Sequence, residues 1–403
     1  MIDDVVRRAD AAAPARRGRA AETPRDRAAK TPDRPSETPR DRAVETSRDR
    51  AVDALRAVAI LGVVLGHWLV TAVVADGGAL RVTSPLKYLP QLTPVSWLLQ
   101  TMAVFFFVGG RVAVESRGRA RDRGAGHGRW ATARMARLFR PVAPLLGVWT
   151  TAAVAMLAGG ADPGTVYALV KLAWSPMWFL LVFAALTAAT PLAARLHPVW
   201  PLAAVAAADL VRFGLDGPSW IGWINLGTGW LVPYCLGARW ASGRLDGRMT
   251  GWALLLGGAA ATAALVLWAG YPASMVGVPG APVSNQAPPT LAAVTFGLAQ
   301  CGAALVLSGP LRRLLRRPAA WALVAAANLT AMTIFLWHQT AMIAVTVTAL
   351  RLADRALPGL HTTPADPGWV AARLAWLPMF AMALTGCLAA FHRRERPAVR
   401  PEG

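Results

Sequence analysis

Long apolar segments separated by short polar ones occupy most of this sequence after residue 56. An apolar helix of about 20 residues is long enough to cross a hydrocarbon layer roughly 30 Å thick. The composition is 55% hydrophobic with 17 Trp, which is typical of membrane proteins and excludes an ordinary soluble domain. We therefore predict an all-α polytopic membrane protein with about ten transmembrane helices, at residues 57–75, 95–114, 142–159, 172–190, 199–213, 222–240, 251–269, 291–309, 321–348 and 370–391.

Basic residues collect on one side of this predicted topology. If the N-terminus is inside, the cytoplasmic segments after the first 50 residues contain twenty arginines, from Arg117 to Arg400. The opposite side contains five basic residues, which are Arg81, Lys87, Arg212, Arg351 and Arg355. Basic loops stay on the cytoplasmic side, so both termini are predicted to be cytoplasmic. A lipid bilayer as partner thus explains the net charge of +20. The sequence shows no basic face with interleaved aromatic residues, so binding to nucleic acid is not expected.

The two ends of the chain differ in composition from its centre. Residues 1–50 are rich in Arg, Asp and Pro and contain the repeats AETPRDRA, SETPRDRA and VETSRDRA, which predict a disordered tail rather than a partner-binding arm. Residues 51–392 form the predicted transmembrane domain, and residues 393–403 a basic cytoplasmic tail. The three cysteines are isolated in apolar surroundings, so no metal site or tightly bound cofactor is expected.

A histidine inside the first apolar segment is the main functional signal. His67 follows Arg56 by eleven residues, which returns a helix almost to the same face after a rise of roughly 16 Å. Ionisable residues inside membrane helices usually mark functional sites. An imidazole with an ordinary pKa of about 6.5 is largely neutral at pH 7 and can act as a general base. The pair therefore predicts a cytoplasmic charge and a proton-transfer group at mid-depth.

Several other polar residues are candidates with two interpretations. Arg134, Arg137 and Arg140 follow one another in steps of three and could bind either phosphate groups or lipid headgroups. His338 in the ninth segment is either catalytic or a hydrogen-bonded link between two helices. Arg111 and Glu115, four residues apart, are expected to pair. The loop and span-end histidines are expected to be solvated, and these are His127, His197, His361 and His392.

Motifs in a fixed order resemble the acyltransferase family 3 membrane proteins. The opening helix carries Asp53, Arg56 and His67, and it is followed by FFFVGG at residues 105–110 and the pair Arg137 and Arg140. PMWFL at residues 176–180 and WHQ at residues 337–339 complete the resemblance, which extends over about residues 49–392. The chain departs from the family in two respects, since it has Val-Gly-Gly at residues 108–110 where many members have Ser-Gly, and Arg111 follows.

This resemblance implies O-acyl transfer from cytoplasmic acyl-coenzyme A, as co-substrate, to a hydroxyl group of a glycan, sugar-bearing lipid or metabolite. His67 would be the catalytic base, or would form an acyl-histidine intermediate. Arg56, Arg137 and Arg140 would bind the donor, with secondary roles for three further residues, namely Asp53, Trp178 and His338. The alternative is a transporter that couples protons through the buried histidines, although no internal repeat is visible. The Arg- and Ala-rich composition suggests a bacterial plasma membrane.

Overall fold

The computed structural model describes residues 49–245, 247–353 and 355–391, and within them the chain is mostly helical. Its helices are α1 Arg50–Val70, α2 Pro85–Tyr88, α3 Thr93–Leu99, α4 Met102–Asp122, α5 His127–Phe139, α6 Val142–Ala158, α7 Pro163–Trp174, α8 Met177–Ala188, α9 Thr190–Ala193, α10 Val199–Asp209, α11 Asn225–Ala241, α12 Arg248–Trp268, α13 Leu291–Leu314, α14 Pro318–Leu329, α15 Ala331–Ala353 and α16 Pro367–Phe391. Three short irregular turns of helix lie at Pro90–Leu92, Leu210–Gly214 and Ser219–Ile224. Two strands, β1 Ala72–Asp76 and β2 Ala79–Thr83, form an antiparallel hairpin.

Eight helical segments of the described chain are long and apolar enough to cross a membrane. They are Arg50–Val70, Pro90–Asp122, His127–Ala158, Pro163–Ala188, Arg248–Trp268, Leu291–Leu314, Ala331–Ala353 and Pro367–Phe391. The segments predicted at 199–213 and 222–240 correspond to α10 and α11, which have only 11 and 17 residues. The multi-pass helical architecture is thus confirmed, while ten spans with both termini cytoplasmic remains a prediction.

The end of the first predicted span is wrong, because α1 stops at Val70 and the chain turns into the β1–β2 hairpin. Asp76 pairs with Ala79 across a two-residue turn formed by Gly77 and Gly78, with φ of 56° and 84°. Positive φ at both turn positions matches the twist of a hairpin and favours glycine. Val73 and Val74 are apolar, so they lengthen the hydrophobic segment from which the span was predicted. Because they are β-branched, they favour a strand over a helix.

The predicted span 321–348 is also wrong as a continuous helix, because it is divided into α14 and α15 at Thr330. The Asn328 side chain donates a hydrogen bond of 2.8 Å to the Asp53 carbonyl in the first turn of α1. It donates a second one of 2.9 Å to Val324 in its own helix. The break therefore coincides with a polar contact between α14 and α1.

Glycines allow α4 and α11 to cross in close contact. A side chain at Gly110 would collide with the carbonyl of Tyr234, and one at Gly237 would collide with the carbonyl of Phe107. Small residues let helix backbones approach closely inside membranes. Gly110, the last residue of the Val-Gly-Gly sequence, is therefore required at this crossing.

A charged cluster joins α1, α4 and α13 at the start of α1. The Asp49 carboxylate accepts a hydrogen bond from the Ala51 N–H and forms ion pairs of 3.0 Å with Arg111 and 2.7 Å with Arg312. Burial opposes ionisation of Asp49, but the hydrogen bond and charge of Arg312, together with Arg111, outweigh it and lower its pKa. Arg111 also pairs with Glu115 at 2.9 Å, which confirms that expectation.

Both predicted tails extend beyond the described part of the chain. Residues 1–48 and 392–403, which include His392, lie outside the described residues, so disorder of the first tail and a cytoplasmic second tail stay predictions. Helix α1 begins at Arg50, the last residue of the predicted N-terminal tail. Asp49 caps this helix by accepting from the Ala51 N–H, and the division into tail and transmembrane domain stays a prediction.

Candidate active site

His67 lies three residues before the end of α1 and contacts α15. Its Nδ1 atom is 2.9 Å from Nε2 of Gln339, and its ring centroid is 5.1 Å from that of His338. The His67 ring is only partly buried, because it lines a cavity of the bundle. Since Nδ1 is engaged by Gln339, Nε2 is the nitrogen of His67 that remains for a substrate.

The amide of Gln339 determines which His67 nitrogen can accept a proton. An amide NH₂ at this position would donate to Nδ1, so that the proton of a neutral ring would sit on Nε2. Rotation of the amide by 180° places Oε1 there instead, where it accepts from Nδ1–H and leaves a lone pair on Nε2. Only this second arrangement makes Nε2 of His67 a base.

His338 is fully buried and connects α15 to α1. Its Nδ1 lies 2.7 Å from the Phe335 carbonyl, so Nδ1–H donates and Nε2 carries the lone pair in a neutral ring. That Nε2 atom has no hydrogen-bond partner among the described residues. The indole of Trp68 donates to the His338 carbonyl at 2.9 Å, which fixes the end of α1 against α15.

Arg373 on α16 holds the end of α1 and is not among the site residues predicted from the sequence. Its side chain is 1% exposed and donates to the carbonyls of Trp68 at 2.7 Å, Thr71 at 2.8 Å and Gly359 at 2.9 Å. The last carbonyls of a helix have no partner within it, and a cation there also complements the helix dipole. A lone arginine inside an apolar span was the available signal.

His361 supports the same end of the bundle, so the expectation that it is solvated is wrong. It is fully buried in the loop after α15. Its Nε2–H donates to Thr346 at 2.7 Å, its Nδ1 accepts from Leu357 at 3.0 Å, and its carbonyl accepts from Ala75 of β1 at 2.9 Å. Burial lowers the pKa of His361, and the nearby Arg373 charge acts in the same direction. This histidine is a structural link to the hairpin.

A first cavity, here called the arginine cavity, lies between α1, α4, α5, α8 and α15. It has a volume of about 320 Å³, and its basic lining residues are Arg56, Arg134 and Arg137. Arg140 lies outside it and is exposed. Each three-residue step along a helix turns the side chain by about 60°, so Arg140 is rotated by roughly 120° from Arg134.

A second cavity, here called the histidine cavity, lies toward the hairpin and has a volume of about 300 Å³. His67, Trp178 and Gln100 line it. Strand β2 and the long loop before α13 complete the wall, with Val82, Thr83, Val276, Gly277, Pro279, Gln286 and Ala287. Among its described lining residues none is charged. The site can therefore hold a neutral molecule of modest size next to His67.

Two phenylalanines separate the cavities. Phe179 on α8 and Phe335 on α15 line both cavities, and their ring centroids are 5.5 Å apart. Arg56 and His67, eleven residues apart on α1, thus face different cavities on either side of this pair of rings. Asp53 is largely buried in the first turn of α1, and its carbonyl accepts the hydrogen bond from Asn328.

Together, the fold and cavities define a multi-pass membrane protein with a histidine-centred site inside its helical bundle. A family model described as an acyltransferase domain, Acyl_transf_3, matches residues 49–392. The chain therefore belongs to the acyltransferase 3 family, and membership assigns it O-acyl transfer as its enzymatic activity. No curated protein and no solved structure matches it. The family assignment does not favour the transporter interpretation.

Proposed function

We propose that this membrane acyltransferase takes its acyl group from acyl-coenzyme A in the arginine cavity and transfers it to a hydroxyl group in the histidine cavity. The observation that carries the proposal is the arrangement along α1, where Arg56 lines one cavity and His67 the other. A phosphate-binding end and a proton-accepting end, about 16 Å apart on one helix, suit a donor with a long thin arm. Acyl-coenzyme A serves as a co-substrate and not as a resident cofactor.

The arginines that line the arginine cavity are proposed to bind the donor phosphates. Guanidinium groups bind phosphate through two parallel hydrogen bonds, and the two turns of α5 that carry Arg134 and Arg137 place both on the cavity wall. Arg56 adds a third positive charge from α1. Arg140, exposed beyond the cavity, is proposed to contact a phosphate of the nucleotide that remains outside.

His67 is proposed to act as the general base of the transfer. Its Nε2 takes the proton from the acceptor hydroxyl, the oxygen attacks the thioester carbonyl, and the carbon–sulfur bond breaks. The imidazolium then returns the proton to the departing thiolate, so atoms and charges balance. With its amide rotated so that Oε1 faces His67, Gln339 accepts from Nδ1–H of that ring. His338 and Trp178 are proposed to shape the site around the reacting groups. A positioned base contributes roughly 10²- to 10⁴-fold to the rate.

The direction of transfer follows from the predicted topology. Cytoplasmic arginines would face the soluble pool of acyl-coenzyme A, and the histidine cavity would open toward the other face of a bacterial plasma membrane. The acceptor is then a glycan, a sugar-bearing lipid or a secondary metabolite on that side. A short acyl group such as acetyl is favoured, because the aromatic pair Phe179 and Phe335 narrows the path between the cavities.

The base assignment is tested by thiol release and acyl transfer from acetyl-coenzyme A in membranes that contain the full chain. His67→Ala is expected to lose at least about 100-fold of the transfer rate. His197→Ala is the matched control, because His197 is exposed and lies outside both cavities. A folded His67→Ala protein with the rate of wild type would contradict the proposal.

The donor site is tested separately through coenzyme A affinity. Loss of one charged hydrogen bond typically weakens binding by roughly 10- to 100-fold, so Arg137→Ala is expected to raise the KM for acetyl-coenzyme A by that factor. Arg195→Ala serves as the control, since Arg195 is exposed and lines neither cavity. Equal donor affinities in both variants would place the phosphates elsewhere.

A further inference from the structure

A third cavity, here called the rim cavity, lies apart from the arginine and histidine cavities and shares no described lining residue with them. It has a volume of about 400 Å³ and lies between the end of α11, the start of α12 and the last turns of α13, with Trp240, Arg248 and Arg312 as one lining residue from each. Arg312 forms the 2.7 Å ion pair with Asp49. The rim cavity is therefore at the end of the bundle where α1 begins, which is the predicted cytoplasmic end.

The side chains around the rim cavity are basic. Arg248, Arg312 and Arg313 line it, and none of its described lining residues is acidic. Arg312 is engaged by Asp49, whereas Arg248 and Arg313 are exposed and form no ion pair with any described carboxylate. Guanidinium groups bind phosphate through paired hydrogen bonds, and here two helices each supply one to the same cavity. The rim cavity therefore fits a ligand that carries a phosphate group.

The rim cavity also borders an apolar surface. Leu307 lines it and is 50% exposed, while Met249, the residue after Arg248, is 80% exposed. Only 17% of the most apolar stretch of α12 is buried inside the protein. In a bilayer, exposed apolar side chains on such a span contact the acyl chains of lipids. A ligand of this cavity thus meets phosphate-binding groups beside a surface for acyl chains.

Pro310 gives the rim cavity an acceptor as well. Proline has no N–H, so the carbonyl of Val306, four residues earlier in α13, lacks its usual helix donor. Val306 and Pro310 both line the cavity. A hydroxyl group next to the phosphate of a ligand can donate to such a carbonyl.

We propose that the rim cavity binds the headgroup of an anionic phospholipid, with its phosphate on Arg248 and Arg313 and its acyl chains along α12 and α13. Anionic lipids give the cytoplasmic leaflet its negative surface potential, and basic pockets between transmembrane helices on that side bind lipid headgroups. The exposed apolar side chains beside the arginines favour a lipid over a soluble phosphate compound. This inference uses only the rim cavity and the predicted topology, so it is independent of the proposed donor and acceptor.

The first test measures lipid binding to the purified full chain by native mass spectrometry. Wild type is expected to bind phosphatidylglycerol more tightly than phosphatidylcholine, whose headgroup has no net charge. Arg248→Gln combined with Arg313→Gln is expected to weaken the tightest phosphatidylglycerol site roughly 10- to 100-fold, because charge-assisted hydrogen bonds are lost. Arg316→Gln combined with Arg317→Gln removes the same charge from exposed residues just after α13, outside the cavity, and should keep the wild-type affinity.

Unchanged phosphatidylglycerol affinity in the first double variant, or the same loss in both double variants, would overturn the proposal. Inorganic phosphate and coenzyme A are added as competitors to distinguish the sources of a phosphate group. Neither is expected to displace the lipid, and displacement by either would assign the rim cavity to a soluble ligand and overturn the proposal.

The second test is thermal unfolding with and without added lipid. Without lipid, both double variants are expected to melt as wild type does, because all four arginines are exposed. Phosphatidylglycerol is expected to raise the melting temperature of wild type and of the control pair more than phosphatidylcholine does, since a ligand that binds only the folded state stabilises it. This difference between the two lipids should be lost in the Arg248 and Arg313 variant. Equal effects of the two lipids on wild type would contradict recognition of the anionic headgroup.

Discussion

Replacement of Arg373 by Met is the most informative perturbation of the support of the site. The side chain is fully buried on α16 and donates to three carbonyls, two of which belong to the end of α1. Methionine has a similar length but no donor, so these carbonyls would lose their partners. His67 is one residue before Trp68, and its own carbonyl accepts from Thr71 at 3.1 Å, so the substitution acts directly on the turn that carries the proposed base.

The size of the effect follows from these contacts. Each buried carbonyl left without a partner costs about 1–3 kcal/mol. Removing a buried guanidinium also relieves its desolvation, which returns several kcal/mol. Three such carbonyls cost about 3–9 kcal/mol together, and the relieved desolvation returns about 1–4 kcal/mol, so the net loss in the free energy of unfolding is about 2–5 kcal/mol. In a chain of several hundred residues this corresponds to a decrease in melting temperature of about 4 °C or more.

Thermal unfolding of the purified protein in detergent measures this change, and the acyl-transfer rate at saturating donor measures its effect on His67. Arg351→Met is the matched control, because Arg351 is exposed near the end of α15. Arg373→Lys is expected to be intermediate, since it keeps the charge but not the fork of donors that reaches three carbonyls. Melting of Arg373→Met within about 1 °C of wild type would refute this account of how α1 ends.

Three further predictions concern other parts of the bundle. Gln339→Leu is expected to lower kcat roughly 10- to 100-fold with little change in the KM for the acyl donor. Gln339→Glu should recover part of the rate, because a carboxylate can still accept from Nδ1–H of His67. An equal loss of rate in both variants would argue against this orienting role. Gly237→Ala should lower the melting temperature, because the new methyl group collides with a carbonyl of α4, while Gly227→Ala in the same helix, with open space around it, should not. Asp49→Asn should reduce stability at neutral pH. Because folding lowers the pKa of the Asp49 carboxyl, the stability difference from wild type should disappear only as the pH falls below about 3.8. Melting curves recorded across this pH range measure the difference.

Much of the architecture was determined by local sequence. The apolar segments predict the multi-pass helical bundle, because backbone groups in hydrocarbon must bond within their own segment. The interval from Arg56 to His67 places both residues on one helix, since helix periodicity depends only on chain geometry. The Arg111 and Glu115 pair follows from the same local rule and is present at 2.9 Å.

The remaining features depend on contacts between residues far apart in sequence. Gln339 meets His67 across 272 positions, and Arg373 reaches Trp68 across 305, distances over which periodicity carries no information. The histidine cavity likewise forms only where α1 and the long loop before α13 come together. The sequence by itself determined the multi-pass helical architecture and the placement of Arg56 and His67 on one helix. Tertiary packing decided which side chains surround that histidine, because helix–helix contacts in a bundle are set by the combined shape of many distant residues.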